Sequence, residues 1–292
     1  MNRRTFIRST VVSSIALSQT GRVLALEADN AYRNSIGIQL YTLRNQLGKD
    51  AAGTLKQVAA AGYKQVELYG FPGVDGMIAG AKDAGLAINS SHFDSACVVN
   101  PNDSGMSDFA KIIEKAKATG LSHLVIPYLP DANRATLDEY KKVAANANKA
   151  AVMCKEVGIQ LSYHNHNFEF QPKDGGKSGF DIFIEEFSED MKFELDVFWV
   201  KAAGINPVDL INKLKGRVSQ LHLKDLMEGV EMPTYAGVSK EAFKELGNGI
   251  IPMEPILVAA KAAGVVHCHV EQDQSPDPLA SIRQSIDYLA KL

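Results

Sequence analysis

The chain has 292 residues, 46% hydrophobic and 22% charged, with a formal net charge of −3. That composition belongs to a globular chain of one large domain or two small ones, and the absence of a basic excess argues against nucleic acid as a partner. Three scattered cysteines, Cys97, Cys154 and Cys268, make neither a disulfide framework nor a CxxC metal knuckle and read as buried structural thiols.

The first segment in chain order is NRRTFIRS (2–9), with paired arginines followed by x-Phe-Ile. A modest apolar stretch, VVSSIALS (11–18), comes next, and VLA (23–25) ends in a small residue suited to cleavage. Arg3, Arg4, Phe6 and Ile7 fall in the order of a bacterial twin-arginine export signal. The stretch is too short and too Ser-rich to remain as a membrane anchor. Residues 1–30 are therefore read as a signal peptide and 31–292 as the folded domain. The expected location is periplasmic or secreted. Because this route carries folded proteins, a metal could be loaded before export.

From Ser35 onward one unit recurs: a helical, Ala- and Lys-rich segment ends at Gly, and a short apolar strand follows. The joints are AAGYKQVELYG (60–70), DAGLAINSSH (83–92), ATGLSHLVIPY (118–128), KEVGIQLSYH (155–164), KGRVSQLHLKD (215–225) and AAGVVHCHVEQ (262–272). Gly is the expected left-handed cap where a helix turns into a strand. SIGIQLY (35–41) and KFELDVFW (192–199) bring the strands to eight, separated by helices as parallel βα units require. No linker or composition break marks a second domain.

Alternation within the strands selects the architecture. An open doubly wound sheet has helices on both faces and continuous apolar strands. Here Leu221 and Leu223 oppose Gln220, His222 and Lys224, while Ile159, Leu161 and Tyr163 oppose Gln160, Ser162, His164 and His166. His267, His269 and Glu271 share one face, as do Glu194 and Asp196. One apolar and one polar face per strand predicts a single (β/α)8 TIM barrel, its polar face inward and its site at the C-terminal strand ends.

Those strand tips offer His164 with His166, Asp196, His222 and Glu271. A buried Asp can simply cap a helix, and an inward His can simply be hydrogen-bonded. Four tips converging on one mouth are harder to explain that way, because unpaired buried charge is costly. One divalent cation removes that cost, and mixed carboxylate and imidazole donors suit Mn²⁺, Co²⁺, Fe²⁺ or Zn²⁺ better than Ca²⁺.

With ELDVFW, HLKD, LGNGIIPMEPIL and HVEQD following a YHNH strand, the chain resembles the xylose isomerase-like barrels grouped as sugar phosphate isomerases/epimerases. The resemblance covers nearly all of the mature chain. It implies a metal held by Glu, Asp, His and Glu at the ends of strands five to eight, which fall here on His164, Asp196, His222 and Glu271. The fifth-strand Glu is thus replaced by His164, with Glu169 as the other candidate for that place. The His-rich fifth strand and the Glu-Gln-Asp eighth strand resemble inosose dehydratases of the same superfamily more closely.

Epimerases of this family use two metal-bound glutamates on opposite sides of the substrate carbon, a pair that His164 breaks. The resemblance therefore implies a lyase or hydratase that removes a proton next to a carbonyl, with Glu169, His166, Glu271 and Lys224 as catalytic candidates. Sugar isomerisation or epimerisation is the alternative. Export and the lack of a GxxxxGK[ST] cradle favour an unphosphorylated keto-sugar, such as a 3-keto-glycoside, for which lyases of the family are the precedent. Tyr41, Glu67, His92 and Trp199 are the substrate-binding candidates, Glu67 as a residue that could orient a neighbour; GNG (247–249) is read as a loop over the mouth, and His123 and His267 as structural. A non-catalytic exported sugar-binding barrel and a DNA-repair endonuclease of the same fold are the rivals. The first would have no need of Asp196, His222 and Glu271, and the second would want a basic surface. Homo-oligomerisation is left open.

Overall fold

The computed structural model describes Tyr32, residues 35–102 and residues 104–292. The signal expected at 1–30 lies outside the described residues. The strands β1 (Gly37–Gln39), β2 (Gln65–Phe71), β3 (Ala87–Phe93), β4 (His123–Ile126), β5 (Gln160–His164), β6 (Met191–Asp196), β7 (Val218–Leu223) and β8 (His267–Val270) are parallel. They close into a barrel as β8 pairs with both β7 and β1. The outer ring is α1 (Ala51–Ala61), α2 (Asp75–Asp83), α3 (Gly105–Thr119), α4 (Leu137–Glu156), α5 (Gly179–Glu186), α6 (Pro207–Lys213), α7 (Met253–Ala263) and α8 (Pro278–Leu289). This is the (β/α)8 barrel expected from the recurring joints.

Local chemistry sets the boundaries of these helices. Thr136 and Asp277 cap α4 and α8, and a Ser178–Asp181 capping box opens α5. Gly120 and Gly264 end α3 and α7 at φ of 88° and 82°, a left-handed conformation that residues with a Cβ rarely adopt. Each strand then begins within a few residues.

The apolar strand faces meet the helices. Phe183 of α5 lies 4.6 Å from the rings of both Tyr163 and Phe187, and all three are buried. Truncating such a residue to Ala costs about 3–5 kcal/mol. The inner faces are polar and equally closed to solvent, with Gln39, Glu67, Ser90, Glu194, Gln220, His222 and His269 all at 0% exposure. Gly37 makes room for this crowd, since a Cβ there would lie 2.4 Å from His269 Cδ2. No helix among the described residues is long and apolar enough to cross a membrane.

Candidate metal centre at the barrel mouth

Register aligns the site. His164 pairs with Glu194 across β5 and β6, Asp196 with His222 across β6 and β7, and His222 with His269 across β7 and β8. Period-two alternation therefore turns His164, Asp196 and His222 inward near the strand ends. Glu271 joins them one residue past β8, its N–H bonded to Leu223 O.

His164, Asp196, His222 and Glu271 each place one donor atom within 4.8 Å of the others, and all four residues are buried. His164 Nε2 stands 3.3 Å from Asp196 Oδ2, and His222 Nδ1 lies 2.8 Å from Glu271 Oε2. Asp196 divides its work. Its Oδ1 accepts the N–H groups of Phe198 and Trp199 at 2.9 and 3.3 Å, capping the short helix Val197–Ala202, while Oδ2 turns to the mouth beside Lys224 and His164. Neither nitrogen of His164 has a hydrogen-bond partner. Orphaned buried donors are costly, and ligands on one first-row ion stand about 3–4 Å apart, so this set fits a divalent cation.

Lys224 lies against the same group. Its Nζ is 3.0 Å from Asp196 Oδ2, 2.7 Å from Glu271 Oε2 and 3.0 Å from Asp273 Oδ2. Burial opposes its charge, but these carboxylates outweigh burial and hold its pKa well above the ordinary lysine value. Burial likewise opposes the His222 imidazolium, and Glu194, Glu271 and Glu67 outweigh it in the raising direction. For His164 burial prevails and lowers the pKa, favouring the neutral imidazole that ligates metals.

A cavity of about 370 Å³ opens above these residues, lined by Tyr41, Tyr69, His92, Tyr128, His164, His166, Lys224, Glu271 and Asp273 among others. A larger one of about 570 Å³ shares only Asp94 with it and has none of the candidate ligands. Of the residues singled out from sequence, Tyr41, His92, His166, Lys224 and Glu271 reach the mouth together with His164. His166 stacks on Phe168 at 5.3 Å, and its Nδ1 has no partner.

Four expectations require correction. Glu169 does not swing over the mouth. Its carboxylate accepts from Tyr163 Oη at 2.6 Å and from the His166 N–H at 2.8 Å, on the helix side of the wall, because residues 168–170 fold back as a 3₁₀ turn. Glu67 does not line the cavity as a substrate contact either: it lies beneath the mouth, 2.6 Å from His222 Nε2, where it can orient that neighbour. Trp199 is 8% exposed and sits behind His166, with ring centres 5.3 Å apart, rather than on the cavity wall. The GNG turn is no cover for the mouth; the Asp225 carboxylate accepts from the N–H groups of Gly247, Gly249 and Ile251, all at 2.9 Å.

Sequence reasoning gave no role to Asp273, Tyr128 and Glu194. Asp273 lies two residues past Glu271, and the period-two rule carried one step beyond Glu271 would have found it. Tyr128, beyond the end of β4, is 44% exposed at the rim. Glu194 shares the inward phase of Asp196 and holds His92 Nε2 at 2.7 Å.

A closed parallel barrel with buried His, Asp and Glu donors at its C-terminal mouth, beneath a small-molecule cavity, defines a (β/α)8 protein whose donors could hold a metal. The chain belongs to the xylose isomerase-like TIM barrel family, whose model matches residues 55–292. It is 25% identical over 276 residues to an inosose dehydratase of Mesomycoplasma hyopneumoniae, covering 85% of this chain and 91% of that one. An inosose dehydratase of Clostridium beijerinckii is 28% identical over 128 residues, and this match spans only 42% of that protein. A sugar phosphate isomerase/epimerase of Parabacteroides distasonis superposes with a TM-score of 0.74 at 27% identity, covering 89% of this chain and 98% of that one.

Proposed function

We propose that this protein is a divalent-metal-dependent carbohydrate enzyme, a lyase or hydratase that removes a proton next to the carbonyl of an unphosphorylated keto-sugar such as a 3-keto-glycoside. The observation that carries it is the mouth cluster: His164, Asp196, His222 and Glu271 donors gathered within 4.8 Å, with His164 and Glu271 lining the cavity and both His164 nitrogens without a hydrogen-bond partner. A divalent ion held there would supply Lewis acidity that makes the proton beside a bound carbonyl removable.

The protein's own groups would do the rest. With Asp196 and Glu271 turned to a bound ion, Lys224 would be released from two of its three carboxylate partners and free to hydrogen-bond a substrate oxygen. Glu271 or the unpartnered His166 nitrogen would take the α-proton, its electron pair becoming a carbon–carbon double bond. The carbon–oxygen bond at the next carbon would break, the departing oxygen gaining a proton. Tyr41 and Tyr128 flank the opening as surfaces for a sugar face. Among the described residues that line the cavity Lys224 is the only Lys or Arg, with Arg44 and Arg134 outside it against Tyr41 and Tyr128, so a phosphate inside would meet a single cation.

Isomerisation or epimerisation is the second reading, favoured by the likeness to the Parabacteroides distasonis protein. It needs another proton-handling group across the cavity, and His92 on β3 occupies that place. We propose in addition that the chain is exported through the twin-arginine motif of residues 2–9. Metal analysis of protein purified without chelator, followed by a screen of 3-oxidised and unoxidised glycosides with the metal-loaded chain, tests the reading. A metal-free protein that binds glycosides unchanged would instead be a sugar-binding barrel.

A further inference from the structure

Beneath the mouth a second set of donors meets: Glu67 Oε2, Glu194 Oε2, His92 Nε2 and His222 Nε2. His222 Nε2 is 2.6 Å from Glu67 and 3.3 Å from Glu194, and His92 Nε2 is 2.7 Å from Glu194 and 3.7 Å from Glu67. By residue type alone this too is a metal-binding set. Two observations decide otherwise.

The inner carboxylates are already satisfied. Glu67 Oε2 accepts from Gln39 Nε2 at 3.0 Å and from His222, and its Oε1 accepts from Ser90 Oγ. Gln220 Nε2 bonds Ser90 Oγ and Glu194 Oε1 at 3.1 and 3.0 Å, tying the two carboxylates together. Of the residues in the two sets, His164 has two nitrogens without a hydrogen-bond partner, and it belongs to the outer one. Moreover, His222 belongs to both sets, and a neutral imidazole has one lone pair to give. Ions on both sides would require a doubly deprotonated ring.

We propose that Glu67 is a positioning residue that holds the Nε2–H edge of His222 and so selects Nδ1 as the nitrogen facing the ion among His164, Asp196 and Glu271. The orientation can be traced from the backbone. The Tyr41 N–H donates to Gln39 Oε1 at 3.1 Å, which turns the Gln39 amide NH₂ onto Glu67. Glu67 is thereby held as an acceptor among donors, so His222 Nε2 donates to it, while Nδ1, 2.8 Å from Glu271 Oε2 in the outer set, is the nitrogen that would give up its hydrogen when an ion binds there. Carboxylate partners of metal-binding histidines fix the ring and its tautomer in this way.

The inference rests on the metal site proposed above, and Zn²⁺ alone tests it without any substrate. Calorimetry should give one zinc per chain, with Glu67→Gln binding roughly 10–100-fold more weakly. Nitrogen NMR of histidine-labelled, zinc-loaded protein, with the His222 signals assigned by His222→Gln, should show Nε2 protonated and Nδ1 ligated. Gln39→Met leaves the carboxylate but removes a tether, and should weaken zinc binding by a smaller factor even if Glu67→Gln fails to fold. Tight wild-type binding with unchanged affinity in the variants, or ligation through Nε2, overturns this inference alone. Two zinc ions per chain, one of them lost in Glu67→Gln, would make the inner set a metal site and overturn it as well. A wild-type chain that takes up no zinc overturns both the inference and the site it rests on.

Discussion

Tyr163 donates its hydroxyl to Glu169 Oε1 across 2.6 Å on the outer side of β5, while the next residue, His164, turns inward to the mouth. One strand tip thus separates an outward hydrogen-bonded pair from an inward candidate ligand. Burial, partly offset by the Tyr163 hydroxyl, raises the Glu169 pKa to about 7. A carboxyl whose folded pKa exceeds its unfolded value near 4.3 keeps its proton longer in the folded chain. Its contribution to stability therefore falls as pH rises from about 4.5 to 7. Glu169→Gln removes that slope. Denaturant unfolding should find the variant, relative to wild type, more favourable at pH 8 than at pH 5 by roughly 2–3 kcal/mol. Its metal content and turnover should stay near wild type, and a large loss of turnover would put Glu169 back in the chemistry.

Asp196 combines a helix cap with an oxygen turned to the mouth beside His164 and Lys224, and two substitutions separate those roles. Asp196→Asn keeps an Oδ1 that can accept from Phe198 and Trp199, so stability should be largely retained while stoichiometric metal is lost. Asp196→Ala loses the metal and also costs about 0.5–2 kcal/mol of cap stability. His222→Ala should lose the metal too. Elemental analysis beside thermal unfolding reads all three, and full metal in Asp196→Asn would remove Asp196 from the ligand set.

Lys224 neutralises Asp196, Glu271 and Asp273 from within contact distance. Lys224→Met leaves those carboxylates buried without their cation, which should destabilise the metal-free chain by about 3–5 kcal/mol. Added Mn²⁺ or Zn²⁺ should restore much of that stability, since a second cation takes over the neutralising role. Turnover should remain low, by roughly 100-fold, because no ammonium is left to hold the substrate oxygen. Unfolding curves with and without metal would contradict this if the variant were as stable as wild type in both.

The barrel was legible because its cause is periodic. Gly-capped helices and strands with opposed apolar and polar faces are written residue by residue, as Leu221 and Leu223 against His222 and Lys224 show. The convergence of His164, Asp196, His222 and Glu271 follows from the same period-two rule applied at strand tips. Glu169 was misplaced because its position depends on how 165–178 folds back, and no periodicity governs a loop. The side-chain pairings inside the barrel, Glu67 with His222 and Glu194 with His92, depend on which strands face each other across the closed sheet. No local pattern carries that information.

Export is open to a separate test. The motif lies in residues 2–9, so replacing both Arg3 and Arg4 with Lys should leave the precursor in the cytoplasm of a bacterial host. Fractionation followed by immunoblotting reads the outcome. Normal periplasmic appearance of the variant would remove the twin-arginine reading and leave the barrel chemistry untouched.

The central claim is metal-dependent removal of a proton beside a carbonyl followed by loss of the neighbouring oxygen substituent. The most direct measurement is proton NMR of a 3-keto-glucoside incubated in D₂O with metal-loaded protein, with chelator-treated protein as the control. The predicted result is disappearance of the α-proton signal together with release of the aglycone and an unsaturated keto-sugar, all lost with the metal and in Asp196→Asn. Aglycone release with the α-proton retained in the sugar product, or the same turnover after chelation, would contradict the account.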